Sequence, residues 1–161
     1  MAEIRNRYSR LAPNRSTSMD RFGASVAPVQ SSNSIFTSLA HQPLPAVPDD
    51  AEVMTATVEV PPGDPGTPPH RHSGPVYGYV TEGAIVWELE GEPERVIRAG
   101  EAFWEPGGDV IHYQAGNALA DAWSRFVVVM VHAPGAPMLT LVDEAELAER
   151  RHLRAPRPVT A

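Results

Sequence analysis

The chain has 161 residues, a formal net charge of -7 and no cysteine. That length suits one domain with a remainder, and the missing thiols exclude a disulfide framework, a thiolate zinc site and an iron–sulfur cluster, so any metal must be held by nitrogen and oxygen. The acidic balance without a dense Lys/Arg run argues against nucleic acid or anionic lipid as partner, and no apolar stretch approaches the roughly 20 residues of a membrane span.

Residues 1–45 mix Arg, Ser, Asn, Thr and Pro with scattered apolar side chains. Such a segment has too little apolar surface to offset its ordering entropy, so a largely disordered, flexible N-terminal extension is expected there. Its first arginines are followed by no apolar h-region, which leaves the cytoplasm as the expected location. It also lacks the 3.6-residue apolar period that a DNA-binding helical module would need.

From Glu52 the pattern changes to alternation, with Val53, Thr55, Thr57 and Glu59 set against Met54, Ala56, Val58 and Val60. Further short runs follow at 76–81, 85–90, 95–98, 102–105, 110–114, 125–132 and 138–142, punctuated by glycines and prolines. About eight or nine short strands separated by turn signals predict an antiparallel barrel or sandwich. Gly83, Gly100, Gly107 and Gly108 are assigned to positive φ or tight turns, and Asn117 to a turn held by its side chain. Only the end is helical: Asp143 as N-cap, Glu146 at N3, and Val142 with Leu147 as a hydrophobic staple predict a short surface helix. The boundaries expected are an extension over 1–45, a barrel over 46–142, and a helix and tail over 143–161.

Chemistry concentrates in PPGDPGTPPHRHSGPVYGYVTEG and EPGGDVIHYQAGN. His70 and His72 lie one residue apart on an extended segment and so point the same way. His112, returning from a neighbouring strand, could complete a triangle of imidazoles, the commonest protein ligand for Zn, Cu, Fe and Ni. Gln114, two residues beyond His112 at strand parity, is expected on the same face, either as a donor to bound water or substrate or as a fourth ligand. Tyr77 is expected either to touch substrate near the metal or to pack in the core. Glu105 and Asp109 flank the Pro-Gly-Gly turn and are expected to be solvated, with a general base as the alternative. Trp87, Tyr79, Trp104, Phe126 and Met130 are read as core or barrel lining, and His41, His132 and His152 as ordinary hydrogen-bonded histidines.

These residues resemble the two motifs of the cupin superfamily. Gly63 or Gly66, His70, His72 and Gly83 occupy the places of the first; Gly100, Pro106, Gly108, His112 and Asn117 match the second, with one extra residue before the histidine and another before the asparagine. The resemblance covers residues 50–142 and implies an all-β fold: a double-stranded β-helix, or jelly roll, with one divalent metal ion inside. Fe(II), Mn, Ni and Zn all remain open. It also implies a homodimer, for which residues 35–47 could add or exchange an edge strand. One departure stands out: the family's carboxylate ligand would fall at Val76 or Tyr77, and neither is acidic.

Three neutral imidazoles would leave the divalent charge uncompensated and favour anionic, oxygen-rich ligands. The expected function is a dioxygenase-type oxidoreductase acting on a small oxygen-bearing organic molecule, with metal on His70, His72 and His112 and with Tyr77 and Gln114 positioning substrate or O2. The alternatives are a Lewis-acid isomerase or polyketide-cyclase-like enzyme, and a non-catalytic small-molecule or metal-binding module.

Overall fold

The computed structural model describes residues 35–45, 47 and 49–156. Most of the expected N-terminal extension, up to residue 34, lies outside the described residues. Residues 37–44 are exposed and carry no regular structure, and regular strands begin at Glu52.

Among the described residues nine strands follow in chain order: β1 (Glu52–Val60), β2 (His70–Arg71), β3 (Val76–Glu82), β4 (Ala84–Leu89), β5 (Arg95–Arg98), β6 (Ala102–Glu105), β7 (His112–Asn117), β8 (Ser124–His132) and β9 (Thr140–Leu141). They form two antiparallel sheets, one ordered β1-β8-β3-β6 and the other β5-β4-β7-β2-β9. This is the antiparallel two-sheet arrangement that the turn-punctuated alternation predicts, and the jelly roll that the resemblance implies. The inner faces share one apolar core of Val60, Val76, Val80, Ile85, Trp87, Leu89, Ile97, Phe103, Phe126, Val128 and Met130, with Met54, Ala56 and Val58 packed against it. The inward set of β1 is therefore the even-numbered one.

Two close approaches shape the barrel near its chemistry. Gly78 pairs with Phe103 across β3 and β6, and a Cβ on Gly78 would sit 1.9 Å from the Phe103 ring, so only glycine lets that ring fill the interior. Gly107, at φ 72°, brings the Pro-Gly-Gly turn onto Gly74, whose carbonyl oxygen would lie 2.1 Å from any Cβ at 107. The Gly108 N–H then donates to the His72 carbonyl at 2.8 Å, locking the two motif-bearing loops together.

After β9 come α1 (Glu144–Glu149) and a 3-10 turn (Arg150–Leu153). Asp143 caps α1 as expected, accepting the Glu146 N–H. Val142 and Leu147 pack with Ile111 and Tyr113 in a second, smaller cluster on the outer side of β7. The helix ends at Glu149, and Arg150 and Arg151 fall in the 3-10 turn beyond it. Among the described residues no helix is long and apolar enough to cross a membrane.

Candidate metal centre

His70 and His112 are direct register partners across β2 and β7, and His72, just past the end of β2, is held by the Met138 carbonyl and the Gly108 N–H, so that three imidazoles come to one point. The ring centroids of His70 lie 5.0 Å from His72 and 4.9 Å from His112. All three rings are buried, and a fourth group joins them: Glu105, at the inner end of β6. One donor atom from each of His70, His72, Glu105 and His112 falls within 4.8 Å of the others. Donors on opposite sides of an ion held at about 2.1 Å are separated by roughly 4.2 Å, so small side-chain shifts would close the set.

The hydrogen bonds say which nitrogens face inward. His70 Nδ1 donates to the Pro68 carbonyl at 2.8 Å, His72 Nδ1 to the Met138 carbonyl at 2.7 Å, and His112 Nε2 to the Gln114 carbonyl at 2.9 Å. A neutral imidazole has one N–H, so these bonds assign the tautomers. The remaining nitrogens, His70 Nε2, His72 Nε2 and His112 Nδ1, then carry lone pairs. His112 Nδ1 lies 3.1 Å and His72 Nε2 3.6 Å from Glu105 Oε2. His112 Nδ1 is buried without a well-aligned hydrogen-bond partner. Lone pairs and a carboxylate facing one another in a dry interior repel unless a cation sits among them, and backbone carbonyls behind ligating histidines are the usual outer support of a metal site. The donor set, all nitrogen and oxygen, fits a divalent ion.

Electrostatics agree. Desolvation lowers the His70 pKa to about 4, outweighing the Pro68 hydrogen bond, so the ring is neutral and free to ligate at physiological pH. Burial pushes the Glu105 carboxyl up, but positive charge among the facing rings, on His112 first and then on His72 and His70, carries it below the usual range, so the carboxylate stays ionised when a cation sits in the cluster. A pH dependence follows for chain stripped of metal. A depressed histidine pKa means the unfolded state binds the extra proton first, so the contribution of His70 is full above its ordinary value of 6.5 and is lost as pH falls towards about 4. Urea unfolding of chelator-treated protein should show stability dropping across that window by roughly 2–4 kcal/mol from this group.

Several expectations are corrected here. Glu105 is no solvated turn carboxylate; it is buried inside the barrel, whereas its companion Asp109 is exposed as expected. Tyr77 does not share the histidines' face. The inner residues of β3 are Val76, Gly78 and Val80, and Tyr77 lies on the other side, its ring 4.7 Å from that of Trp104. Tyr79 is exposed on the same outer face. Gln114 is turned outward by a β-bulge. The β4–β7 register runs Trp87↔Ala115 and Glu88↔Gln114, then slips to Leu89↔His112. The extra residue reverses the parity between His112 and Gln114. Gln114 thus shares a face with Glu88, and only its carbonyl serves the site, as acceptor for His112.

Trp87 is in the core as expected, with its ring centroid 4.1 Å from that of His112 and 4.3 Å from that of Phe103. Its indole Nε1 is buried without a hydrogen-bond partner. His132 and His152 donate to nearby carbonyls, as ordinary histidines do. A surface pocket of about 340 Å³ lies elsewhere, between Ser38, Leu39 and the β5–β6 region, and contains no histidine. The donor chemistry, not that concavity, marks the functional site.

Fold and site together define a jelly-roll protein with a buried three-histidine, one-carboxylate cluster of the kind that holds a divalent metal. A family model described as "Cupin domain" matches residues 56–119, so that stretch of the chain carries a cupin domain. Similar solved structures include the DMSP lyase DddQ from Ruegeria pomeroyi DSS-3, at 20% identity and TM-score 0.46, over 55% of this chain and 42% of that one. The polyketide cyclase RemF from Streptomyces resistomycificus is similar at 25% identity and TM-score 0.45, covering 65% of this chain and 74% of that one. KdgF from Halomonas sp. is similar at 29% identity and TM-score 0.43, covering 58% and 78% respectively. This chain thus spans less than half the length of the DddQ chain it matches. Comparison with curated proteins finds no match.

Proposed function

We propose that this chain is a metal-dependent cupin enzyme, a dioxygenase-type oxidoreductase acting on a small oxygen-bearing organic molecule, with its ion on His70, His72, Glu105 and His112. The observation that carries this reading is the convergence of four buried lone-pair donors whose histidine N–H groups are already committed to backbone carbonyls. A divalent ion there supplies Lewis acidity and, as Fe(II), access to O2 chemistry. Glu105 lowers the charge of the site by one, so a singly anionic enolate or catecholate would suit it better than a dianion. Trp87 and Phe103 give the site an apolar wall. The Trp87 N–H beside His112 offers a donor to a substrate oxygen.

A second reading, a Lewis-acid isomerase or cyclase, draws on the same carboxylate. Glu105, 3.1 Å from His112, is placed to accept a proton from a carbon acid. Metal analysis of untagged protein with an oxygen electrode separates the two. Iron at about one per chain, with O2 uptake on adding a diketone, flavonol or catechol, is expected. Zinc without O2 consumption would favour the second reading, and stoichiometric ligand binding without turnover would leave a binding module. We further propose a cytoplasmic homodimer; the half-buried strip of Val127, Val129, Val131, Tyr77 and Trp104 on the outer face of the β1-β8-β3-β6 sheet supports the association.

A further inference from the structure

We infer that Glu146 of α1 is a positioning residue for the metal-ligating strand, acting through Arg71; this rests on the metal reading above. The β2 strand is only two residues long, and its register with β7 is a single pair, His70↔His112. More of its support comes from the C-terminal segment. β9 pairs as His70↔Leu141 and Arg71↔Thr140, the Val142 N–H donates to the Pro69 carbonyl at 2.9 Å, and the Met138 carbonyl takes the His72 Nδ1–H.

Arg71 lies between the two ligands. With side chains alternating along a strand, its guanidinium points out where His70 and His72 point in. That guanidinium is held by both oxygens of Glu146, at 2.5 and 3.2 Å, and lies 3.6 Å from Asp109. A two-pronged pair of this kind fixes orientation as well as distance. Gripping the middle residue from outside sets the roll of the strand about its own axis, and so the angle at which both imidazoles enter the barrel. Glu146 is itself anchored, because its backbone N–H is capped by Asp143 and its carboxylate lies 3.7 Å from Arg150. Metal binding and docking of the 138–153 segment are then linked, each strengthening the other.

The test is a Co(II) titration of the full chain followed by visible absorption, with hydrogen exchange over residues 138–153. Glu146→Ala is expected to weaken Co(II) binding by about tenfold or more, the range seen when outer support of a ligand is removed, and to alter the Co(II) spectrum. The charge exchange Arg71→Glu with Glu146→Arg should recover much of the affinity, and Glu59→Ala, which breaks an ion pair on the other sheet, should leave it unchanged. If Glu146→Ala folds poorly, Glu146→Gln provides the same comparison with a smaller expected loss. Unchanged affinity and spectrum in a Glu146 variant whose 138–153 segment exchanges faster would overturn the inference alone. A wild-type chain that takes up no Co(II) would overturn it together with the metal reading.

Discussion

Glu105→Gln should strip the purified chain of its divalent metal while leaving the barrel folded. The substitution keeps size and shape but removes the one negative charge among three imidazole lone pairs, and it sets an amide N–H where a cation is needed. Loss of a partner from a buried charged cluster costs about 3–5 kcal/mol, which corresponds to roughly a hundredfold or more in affinity. His72→Ala should do the same by removing a ligand outright. Metal content by elemental analysis, read beside circular dichroism, checks both. Full metal occupancy in Glu105→Gln would mean that the three imidazoles suffice and that the carboxylate is no ligand.

A companion variant tests where the carboxylate belongs. Val76 is the register partner of Glu105 across β3 and β6, and Val76 is one of the two positions at which the cupin carboxylate was expected. The acid is thus absent from its usual strand and present on the adjacent one, at the same level of the ladder. Moving it back, with Val76→Glu in a Glu105→Val background, should restore part of the metal content.

Asn117→Ala should be the most damaging single change away from the cluster. Its Nδ2 donates to the carbonyls of Val60, Pro61 and Ala122, and its Oδ1 accepts from the Leu119 N–H and the Ser124 hydroxyl. Ser124 in turn bonds both the N–H and the carbonyl of Ala84, so one buried amide ties together the ends of β1, β4, β7 and β8. Truncation would leave several buried polar groups unpaired, at about 3–5 kcal/mol in total and a fall in Tm on the order of 10–20 °C. Thermal unfolding measures this, and a loss under about 1 kcal/mol would show that water replaces the amide.

Much of this was legible in the sequence because period-2 patterning and turn glycines are local. The even-numbered set of β1 faces the core, and Gly83, Gly100, Gly107 and Gly108 all have positive φ. His70, His72 and His112 converge because a strand geometry of two residues per repeat leaves them little choice. What was hidden depended on register. The run VYGYVT is apolar on both faces, so parity could not say that Val76 and Val80, rather than Tyr77 and Tyr79, look inward. In AFWE both aromatics compete for the interior in the same way. Phe103 wins because Gly78 opposite makes room for its ring, and that choice carries Glu105 inward. The bulge that turns Gln114 out adds one residue to β7 against β4, a mismatch visible only when both strands are seen paired. The available hint to Glu105 was its period-2 relation to Phe103, just before the turn leading to His112.

The grip of Arg150 on the barrel bears on how the protein can be divided. Its guanidinium holds the nearly buried carboxylate of Glu90 with two nitrogens and also reaches the side chain and carbonyl of Asp109. A fragment ending with the last strand would therefore sequester a negative charge stripped of its counter-ion and fray where β4 meets the Pro-Gly-Gly turn. For expression or fusion, the self-sufficient piece of this polypeptide extends past the final sheet residue, through the 3-10 turn and as far as Arg154, whose guanidinium holds the buried carboxylate of Glu88 with two nitrogens.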